Sequence, residues 1–266
     1  MTAPGAKVLL DSISPAGDRL TTMEVVMHRF VLSEFNTHRA FSRNSASSRA
    51  IPTVKLIERV RNDPAMPLEW GTNQRGMQPG EPASAEVAAF AEQAWLSARD
   101  RAANHAQLLL DVNVHKQIVN RLLEPFLWHT VIVSSTEWDN FFQQRCSPLA
   151  QAEIRAVAGA MRDALAASAP MPVAVGEWHT PLILPGEELE LHTENRCRVS
   201  AARCARVSYL THDGERDYHA DLDLYTRLMT ADPPHWSPLE HVATPAEARY
   251  RALGNFRGWH QLRHLA

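Results

Sequence analysis

Two apolar runs open the chain, and a short polar segment separates them. Residues 7–14 and 21–29 are rich in Val, Ile, Leu and Met, and this pattern is typical of strands. The segment between them contains Pro15, Gly17 and Asp18, which favour a turn. The pattern predicts an opening β-hairpin.

A third apolar run, residues 127–135, contains three consecutive β-branched residues and predicts a strand or a buried segment. Residues 30–51, by contrast, are dense in Ser, Arg and Asn, and the middle of this stretch is a candidate helix. Residues 64–84 are rich in Pro and Gly and predict a long irregular loop, of the kind that forms lids and binding loops.

Helical spacing dominates the middle of the chain. Ser84 is placed to cap a helix over residues 84–110, and residues 113–126 predict a second helix that ends near Pro125. Apolar side chains at helical spacing form the expected packed face of the first helix: Phe90, Ala94, Ala98 and Ala102.

Two further helices are predicted on either side of Arg145. Thr136 and Asp139 have the spacing of a capping box, and Ser147 with Pro148 suits the start of a helix that runs to about residue 167. Four side chains of the first of these helices share one face: Trp138, Phe141, Phe142 and Arg145.

The last third of the chain begins with an extended segment, residues 170–184, and a turn at Pro185 and Gly186. Helices are predicted over residues 194–205 and 217–230. No repeat or linker divides the sequence. We therefore expect one α+β domain over residues 1–266, with a predominantly helical body.

Composition narrows the class of protein. The 266 residues are 45% hydrophobic and 21% charged, as in globular proteins, and the net charge of −3 disfavours a nucleic-acid or membrane surface. Cys146, Cys197 and Cys204 are an odd number without paired spacing, which favours a reducing compartment. With no leader or membrane-spanning segment recognised, we expect a soluble, cytoplasmic protein.

Familiar cofactor motifs are absent from the sequence. It has neither a Gly-x-Gly-x-x-Gly turn nor a phosphate loop, so any nucleotide must be held in another way. His260 and His264 have helical spacing but lack an obvious third ligand, and we expect no metal.

The densest polar segment covers residues 37–50 and holds three Arg, one His and four Ser. Guanidinium groups bind phosphate oxygens in pairs, and Ser hydroxyls supply further donors. Composition alone leaves two interpretations open, a cradle for a phosphorylated ligand or a solvated helix followed by a Ser-rich turn.

The spacing of this segment favours the first interpretation. His38-Arg39-x-x-Ser42-x-Asn44-x-x-Ser47-x-Arg49 resembles the signature motif of the flavin-dependent thymidylate synthases, Arg-His-Arg-x-x-Ser-x-Asn-Glu-x-Ser-x-Arg. Two positions depart from it, because Thr37 replaces the first Arg and Ser45 replaces Glu.

Three further blocks resemble the same family. Residues 203–209 resemble its Ala-Ala-Arg-Val-Ser block, residues 235–241 its His-x-[Ser/Thr]-Pro-x-Glu-His block, and residues 140–145 its Arg-ended helix. In the better-known members the first two blocks precede the motif, whereas here they follow it. A circular permutation of the family's α+β fold, a mixed sheet with a helical body, explains this order. It predicts that residues 240–242 lie near the start of the strand over residues 21–29.

The resemblance implies roles for particular residues. Arg145 would polarise the pyrimidine ring, although an arginine there also suits a helix end, and Arg49 is the second candidate catalytic residue. The implied flavin ligands are His38, Arg39, Ser42, Asn44, Asn140, Ser208, His235 and Ser237. The implied nucleotide ligands are Glu34, Ser45, Ser47, Arg49, Arg121 and Arg145. His235 and His241 also suit structural hydrogen bonds, and for His241 the structural and the functional interpretation have equal weight.

The resemblance also implies a reaction, in which a methylene group passes from methylenetetrahydrofolate to C5 of deoxyuridylate, with FAD and NADPH as cofactors. It implies a homotetramer whose active sites lie at subunit interfaces and bind a pyrimidine deoxynucleoside monophosphate and folate. Three alternatives stay open. The departures at Thr37 and Ser45 suit a 5-hydroxymethylase of deoxyuridylate or deoxycytidylate; Cys146 is a candidate nucleophile for a folate-only mechanism; and residues 37–50 suit a non-catalytic nucleotide- or RNA-binding module.

Overall fold

A computed structural model describes residues 2–207, 217–247 and 254–266 of the chain. This part of the chain is an α+β structure with a five-stranded mixed sheet, in the order β3-β4-β2-β1-β5, and a two-stranded sheet, β6-β7. The strands are β1 (Gly5–Ile13), β2 (Arg19–His28), β3 (Ser42–Ser45), β4 (Trp128–Ser135), β5 (Met171–Pro172), β6 (Ala243–Pro245) and β7 (Trp259–Gln261).

The helices of the described residues range from one turn to more than seven turns. They are α1 (Leu32–Asn36), α2 (Thr53–Asn62), α3 (Ala85–Asp111), α4 (Lys116–Val119), α5 (Asp139–Arg145), α6 (Ala152–Ala166), α7 (Glu187–Glu190), α8 (Thr193–Ala205) and α9 (Tyr218–Thr230). None of them is long and apolar enough to cross a membrane.

The predicted hairpin is confirmed. β1 and β2 pair antiparallel from Gly5 opposite Val26 to Ile13 opposite Arg19. The turn is closed by the N–H of Gly17, which donates to Ser14 O at 2.9 Å, and Gly17 has φ +86°, a conformation that glycine adopts without steric cost.

The predicted strand over residues 127–135 is also confirmed, as β4, which pairs with β2 along its whole length. The expected helix in the middle of residues 30–51 is wrong, because only α1 is helical and β3 follows as an edge strand. Ser and Asn compete poorly in helix interiors, and the free edge of β4 supplies backbone partners from Ser134 to Val131.

Helices cover both faces of the sheet. On one face, α5 and α6 bury Phe141, Val157 and Met161 against Met23 and Val131. On the other face, Cys204 of α8 and Val207 pack on Ile132 of β4. Alternate residues of β4 therefore point into different cores, as a central strand requires.

The helix α3 begins as predicted, since Ser84 accepts a hydrogen bond from Val87 N. Its predicted face is wrong at three of four positions, since Phe90 is 75% exposed and Ala94 and Ala98 are exposed as well, whereas Ala102 packs against a core as predicted. The side chains that pack lie further along the helix, where Ala103 and Ala106 meet α2 in a second core. The side of α3 that packs against α2 is therefore different from the side that apolar spacing indicated.

Two predictions about helix starts and lengths are wrong as well. Residues 113–126 form only α4 and a 3-10 helix over Asn120–Phe126, and Pro125, which has no backbone N–H, lies inside the 3-10 helix. The expected capping box is not formed, since Thr136 Oγ1 accepts from Arg257 N and α5 begins at Asp139 without a side-chain cap.

The next helix, α6, starts at Ala152 instead of Ser147. Ser147 Oγ accepts a hydrogen bond from Leu149 N, so this serine closes a turn between α5 and α6. The predicted helices over residues 194–205 and 217–230 are confirmed as α8 and α9.

The segment 64–84 is irregular, as predicted, and folds back on itself. The N–H of Thr72 donates to Glu81 O at 2.9 Å, and the N–H of Ala83 donates to Trp70 O at 2.8 Å. The segment lines an open cleft together with residues 148–155, so it borders the turn that follows Arg145.

Candidate active site

The short strand β3 is where the separated sequence blocks meet. Ser42 Oγ accepts hydrogen bonds from Gln261 Nε2 at 3.0 Å and Asn255 Nδ2 at 3.3 Å. Gln261 Nε2 also donates to Glu240 O at 2.8 Å. Asn44 Nδ2 donates to Cys204 O at 3.2 Å. The motif is thereby joined to both C-terminal blocks.

Behind β3, a buried chain of hydrogen bonds links five side chains, which we call the histidine network. Thr22 Oγ1 and Ser134 Oγ are 2.6 Å apart, and Ser134 Oγ lies 2.8 Å from His241 Nδ1. At the other end, His179 is 2.8 Å from Thr22 Oγ1 and 2.8 Å from Ser12 Oγ. Because Thr22 is near the start of β2, the predicted proximity of residues 240–242 to that strand is confirmed.

Burial keeps the network's two histidines neutral. It lowers the pKa of both His179 and His241 to about 3, against an ordinary value of 6.5. His241 Nε2 is buried and has no hydrogen-bond partner among the described residues. His241 therefore forms structural hydrogen bonds, one of the two interpretations that the sequence left open. His235, by contrast, is exposed, and its backbone N–H donates to Leu228 O.

Arg145, the last residue of α5, is directed at the motif. Its Nε donates to His38 Nε2 at 2.9 Å, and its NH2 group donates to Thr37 Oγ1 at 3.1 Å and Glu34 O at 3.3 Å. The ring of His38 lies edge-on to Phe141, with the centroids 4.8 Å apart. The aromatic face of α5 therefore carries the arginine to the motif, and these hydrogen bonds bind it there instead of to its own helix end.

The protonation state of His38 follows from these contacts. Burial lowers its pKa from the ordinary 6.5, and the charges of Arg145 and Arg43 lower it further. Since Nε2 accepts from Arg145, the ring proton belongs on Nδ1. A neutral imidazole consequently lies beside a permanently charged guanidinium.

Arg43 is a residue of this region that the motif did not single out. Its NH1 group donates to His38 O at 3.2 Å and to Phe35 O at 3.4 Å, across the turn between α1 and β3. Burial lowers its pKa, and the charge of Glu240 opposes that effect. Arg43 and Ser45 are alternate residues of β3 and share one side of it. The position is unspecified in the family pattern, so no sequence signal marked it.

The remaining implied ligands differ in exposure and in bonding within the chain. Ser42 is fully buried and its hydroxyl is used within the chain, so it is an internal contact of the motif. Ser208 lies outside the described residues. The following residues are exposed: Arg39, Ser45, Ser47, Arg49, Asn140, His235 and Ser237. Arg39 and Arg49 form no hydrogen bond or ion pair with other described residues, so their guanidinium groups are available to a ligand.

Two implied nucleotide ligands are engaged within the chain. Glu34 accepts from Ser33 Oγ at 2.7 Å. Arg121 forms an ion pair with Glu124 at 2.7 Å, and Glu124 also accepts from Ser48 Oγ. Sequence reasoning missed Ser48 and Glu124, because nothing in their local pattern indicates partners so distant along the chain.

The three cysteines differ in burial. Cys197 and Cys204 are buried, and burial raises the pKa of the Cys197 thiol to about 12 and that of Cys204 further. Cys146 follows Arg145 and is half-buried against the main core. Within the described ranges, no three His, Cys, Asp or Glu side chains converge in a group that could hold a metal ion.

Comparisons with known proteins bear on this geometry. The model of the thymidylate synthase complementing protein family matches residues 14–171, more than half of the chain. The matched range includes the motif and α5 but neither C-terminal block, as a permuted order predicts. No curated protein sequence matches the chain.

Among solved structures, the chain is similar to the UMP/dUMP methylase PolB from Streptomyces cacaoi bound with 5-Br UMP, with a TM-score of 0.49 and 16% identity over 62% of this chain and 90% of that one. The same enzyme bound with 5-Br dUMP gives a TM-score of 0.45 and 18% identity, over 56% of this chain and 67% of that one. These similarities are weak, and the assignment rests on the family model. The chain belongs to the thymidylate synthase complementing protein family, that of the flavin-dependent thymidylate synthases, and is an enzyme of pyrimidine deoxynucleotide modification.

Proposed function

We propose that this protein transfers a one-carbon unit from methylenetetrahydrofolate to C5 of deoxyuridylate and releases thymidylate, with FAD as its bound cofactor and NADPH as the source of electrons. The observation that carries the proposal is the hydrogen bond between Arg145 Nε and His38 Nε2. It joins the two sequence blocks to which the family's chemistry assigns the pyrimidine ring and the flavin.

Arg145 is the residue that acts on the pyrimidine ring. As C5 becomes nucleophilic, negative charge develops on the ring carbonyl oxygens, and a fixed guanidinium stabilises that charge. Arg145 is held in place by His38 and Thr37, so it costs little reorganisation when the nucleotide arrives. The exposed Ser47 and Arg49, together with Arg121, bind the 5′-phosphate.

The residues present fit a flavin. A reduced isoalloxazine gathers negative charge at its pyrimidine edge, and a pyrophosphate carries charge of its own, so both require cationic or N–H donors. The exposed Arg39, Asn140, His235 and Ser237 and the half-buried His38 and Asn44 supply such donors. When bound, the flavin supplies the hydride that converts the transferred methylene into a methyl group.

The subunit arrangement is part of the same proposal. Exposed donors on residues 37–50 and on α5 suit a homotetramer in which neighbouring chains complete each active site. Folate and NADPH would bind next to the flavin, since both exchange groups or electrons with it.

Absorption spectroscopy and product analysis test the proposal. The purified protein is saturated with FAD, freed of excess and scanned in the visible region, and the expected result is a retained flavin band. The loaded protein is then given deoxyuridylate, methylenetetrahydrofolate and NADPH, and the expected product carries a methyl group in place of the C5 hydrogen. A protein that retains no flavin, with or without nucleotide, contradicts the proposal.

A second product is favoured by one contact. Thr37, which replaces the family's first Arg, is itself bonded to Arg145, so the departure alters the immediate surroundings of the pyrimidine ring. If water quenches the methylene before reduction, the product is a 5-hydroxymethyl nucleotide. The product mass distinguishes the two, and deoxycytidylate as acceptor is tested in the same assay.

A further inference from the structure

Glu124 lies in the 3-10 helix Asn120–Phe126, opposite the end of the motif. A single carboxylate oxygen, Oε1, accepts three hydrogen bonds: from Ser48 Oγ at 2.7 Å, from Arg121 NH1 at 2.7 Å and from Arg29 NH2 at 3.3 Å. The side chain of Glu124 is 21% exposed, whereas that of Arg121 is 50% exposed.

This donor set is the one that a phosphate group requires. Two guanidinium groups and a hydroxyl converge on one oxygen, and charge-assisted bonds of this kind are the main means of binding phosphate in proteins. The adjoining residues Ser47 and Arg49 are exposed. Arg121, proposed above as a phosphate ligand, is therefore already bonded to an anion of the chain itself.

Glu124 remains ionised in this position. Burial alone would raise its pKa, but the hydrogen bond from Ser48 and the charges of Arg29 and Arg121 outweigh burial and hold the pKa below its ordinary 4.5. A full negative charge is consequently present at neutral pH.

A small polar cavity adjoins the same donors. It has a volume of about 60 Å³ and is bordered by Arg29, Ser48, Arg59 and His129. The buried His129 Nε2 has no hydrogen-bond partner among the described residues, as expected where water fills a polar cavity. At roughly 30 Å³ per water molecule the cavity is too small for a nucleotide, so the nucleotide's phosphate reaches these donors from the exposed side at Ser47 and Arg49.

We infer that Glu124 is an internal occupant of the phosphate site, and that a nucleotide's phosphate must displace its carboxylate from Ser48, Arg29 and Arg121 in order to bind. The inference rests on the proposed function for the identity of the nucleotide. Glu124 orders the three donors before substrate binds and lowers the affinity for any phosphate, so it sets the substrate concentration at which the enzyme works.

Isothermal titration of the full-length protein tests this inference with three probes: inorganic phosphate, deoxyuridylate and deoxyuridine. Glu124→Gln keeps an oxygen acceptor in place but removes the charge. We expect this variant to bind phosphate and deoxyuridylate about tenfold more tightly, or about 1.4 kcal/mol, and deoxyuridine unchanged. Glu69→Gln is the matched control, since Glu69 also pairs with an arginine, Arg155, and is not bonded to Ser48, Arg29 or Arg121.

Each outcome decides the inference. Equal or weaker phosphate binding by Glu124→Gln overturns it, and if the wild type still binds deoxyuridylate, the proposed function survives. Tighter phosphate binding without any binding of deoxyuridylate supports the anion site and contradicts the proposed function. Glu124→Ala, which removes the acceptor as well, must change phosphate affinity in the same direction, and it provides the test if Glu124→Gln does not fold.

Discussion

Two groups of polar side chains, one inside the sheet region and one around the motif, differ in whether their hydrogen bonds are used within the chain. The histidine network, Ser12, Thr22, Ser134, His179 and His241, is fully buried and bonded to itself. The motif arginines, by which we mean Arg39, Arg49 and Arg145, are exposed or half-buried. Two of these three arginines have no partner within the described ranges.

A block of sequence can resemble a family because its residues hold the fold together or because they bind a ligand. The difference between the two groups separates these two cases. The network connects β1, β2 and β4 to the segments that carry His179 and His241, so its residues hold together parts of the fold that are distant in sequence. Arg39 and Arg49 form no hydrogen bond or ion pair with other described residues, and Arg145 bonds to His38, Thr37 and Glu34 O through Nε and NH2 alone, so all three arginines have donors left for a ligand. The comparison predicts that substitutions in the first group act on stability, and those in the second on activity.

Replacement of Arg145 gives the largest expected effect. Under the proposed function, Arg145→Gln removes the charge assigned to transition-state stabilisation, and a single such group is worth roughly 100- to 1000-fold in turnover. Arg145→Lys recovers little, because a lysine cannot reproduce the planar fork. Turnover is measured by the appearance of product from deoxyuridylate.

Arg162→Gln is the control for this prediction, since Arg162 is exposed on α6 and pairs with the next residue, Asp163. Its turnover should match that of the wild type, and urea unfolding of Arg145→Gln should resemble the wild type's. An Arg145→Gln protein that is destabilised in proportion to its lost activity would contradict the distinction between the two groups.

The histidine network gives the next effect, on stability. His241→Ala removes a buried ring and leaves Ser134 with one hydrogen bond fewer, which costs roughly 3 kcal/mol of unfolding free energy. Urea denaturation measures this loss. His235→Ala is the matched control, because His235 belongs to the same block but is exposed. Equal losses of unfolding free energy for the two variants would show that the histidine network contributes no more to stability than an exposed side chain.

Acid titration sharpens the same comparison. His179 and His241 have pKa values of about 3 in the folded chain and an ordinary value of 6.5 when unfolded. Below pH 6.5 the unfolded chain therefore binds protons that the folded chain does not. The free energy of unfolding consequently falls as the pH falls from 6.5 towards 3, and these histidines cause no loss of stability above pH 6.5.

Within that window each buried histidine lowers the free energy of unfolding by about 1.4 kcal/mol per pH unit, so that about 2 kcal/mol is lost at pH 5. His241→Gln should reduce the slope of unfolding free energy against pH by the contribution of one histidine proton, about 1.4 kcal/mol per pH unit. Ser12→Ala, which removes a hydroxyl at the other end of the network, should lower the whole curve and leave its slope unchanged. A slope that is unaltered in His241→Gln would mean that His241 is accessible to protons in the folded chain.

These effects rest on features that the sequence revealed unequally. The hairpin, β4, α8 and α9 follow from local apolar spacing, and the resemblance predicted that residues 240–242 would approach β2. The edge strand β3 could not be foreseen, because its polar residues become a strand only where the free edge of β4 pairs with them.

The candidate site shows the same division. His38 and Arg145 were named from motifs, but their mutual hydrogen bond joins residues far apart in the chain and needed the fold. Glu124 had no signal, since its partners Ser48 and Arg29 are distant in sequence, and Arg43 occupies a position that the family pattern leaves unspecified. The packed face of α3 was misjudged for a related reason, because spacing alone does not show which side of a helix meets another element, and Phe90 is 75% exposed.

Arg43 gives the smallest expected effect and lies between the two groups. It is half-buried, like a structural residue, yet it holds the turn that presents His38 by donating to His38 O and Phe35 O. Arg43→Met removes both hydrogen bonds, and a loosened His38 should lower turnover about tenfold, or about 1.4 kcal/mol. Arg43→Lys keeps a donor and should recover part of the loss.

Binding and turnover together decide what Arg43 does. A positioning residue should lower turnover and weaken flavin retention while the urea midpoint stays near that of the wild type, because only one turn is loosened. If Arg43→Met lowers stability without affecting flavin retention, Arg43 belongs with the histidine network. If it loses as much activity as Arg145→Gln, its guanidinium contacts the reacting groups directly, and the positive charge of Arg43 on the same side of β3 as Ser45 becomes the feature that selects the substrate.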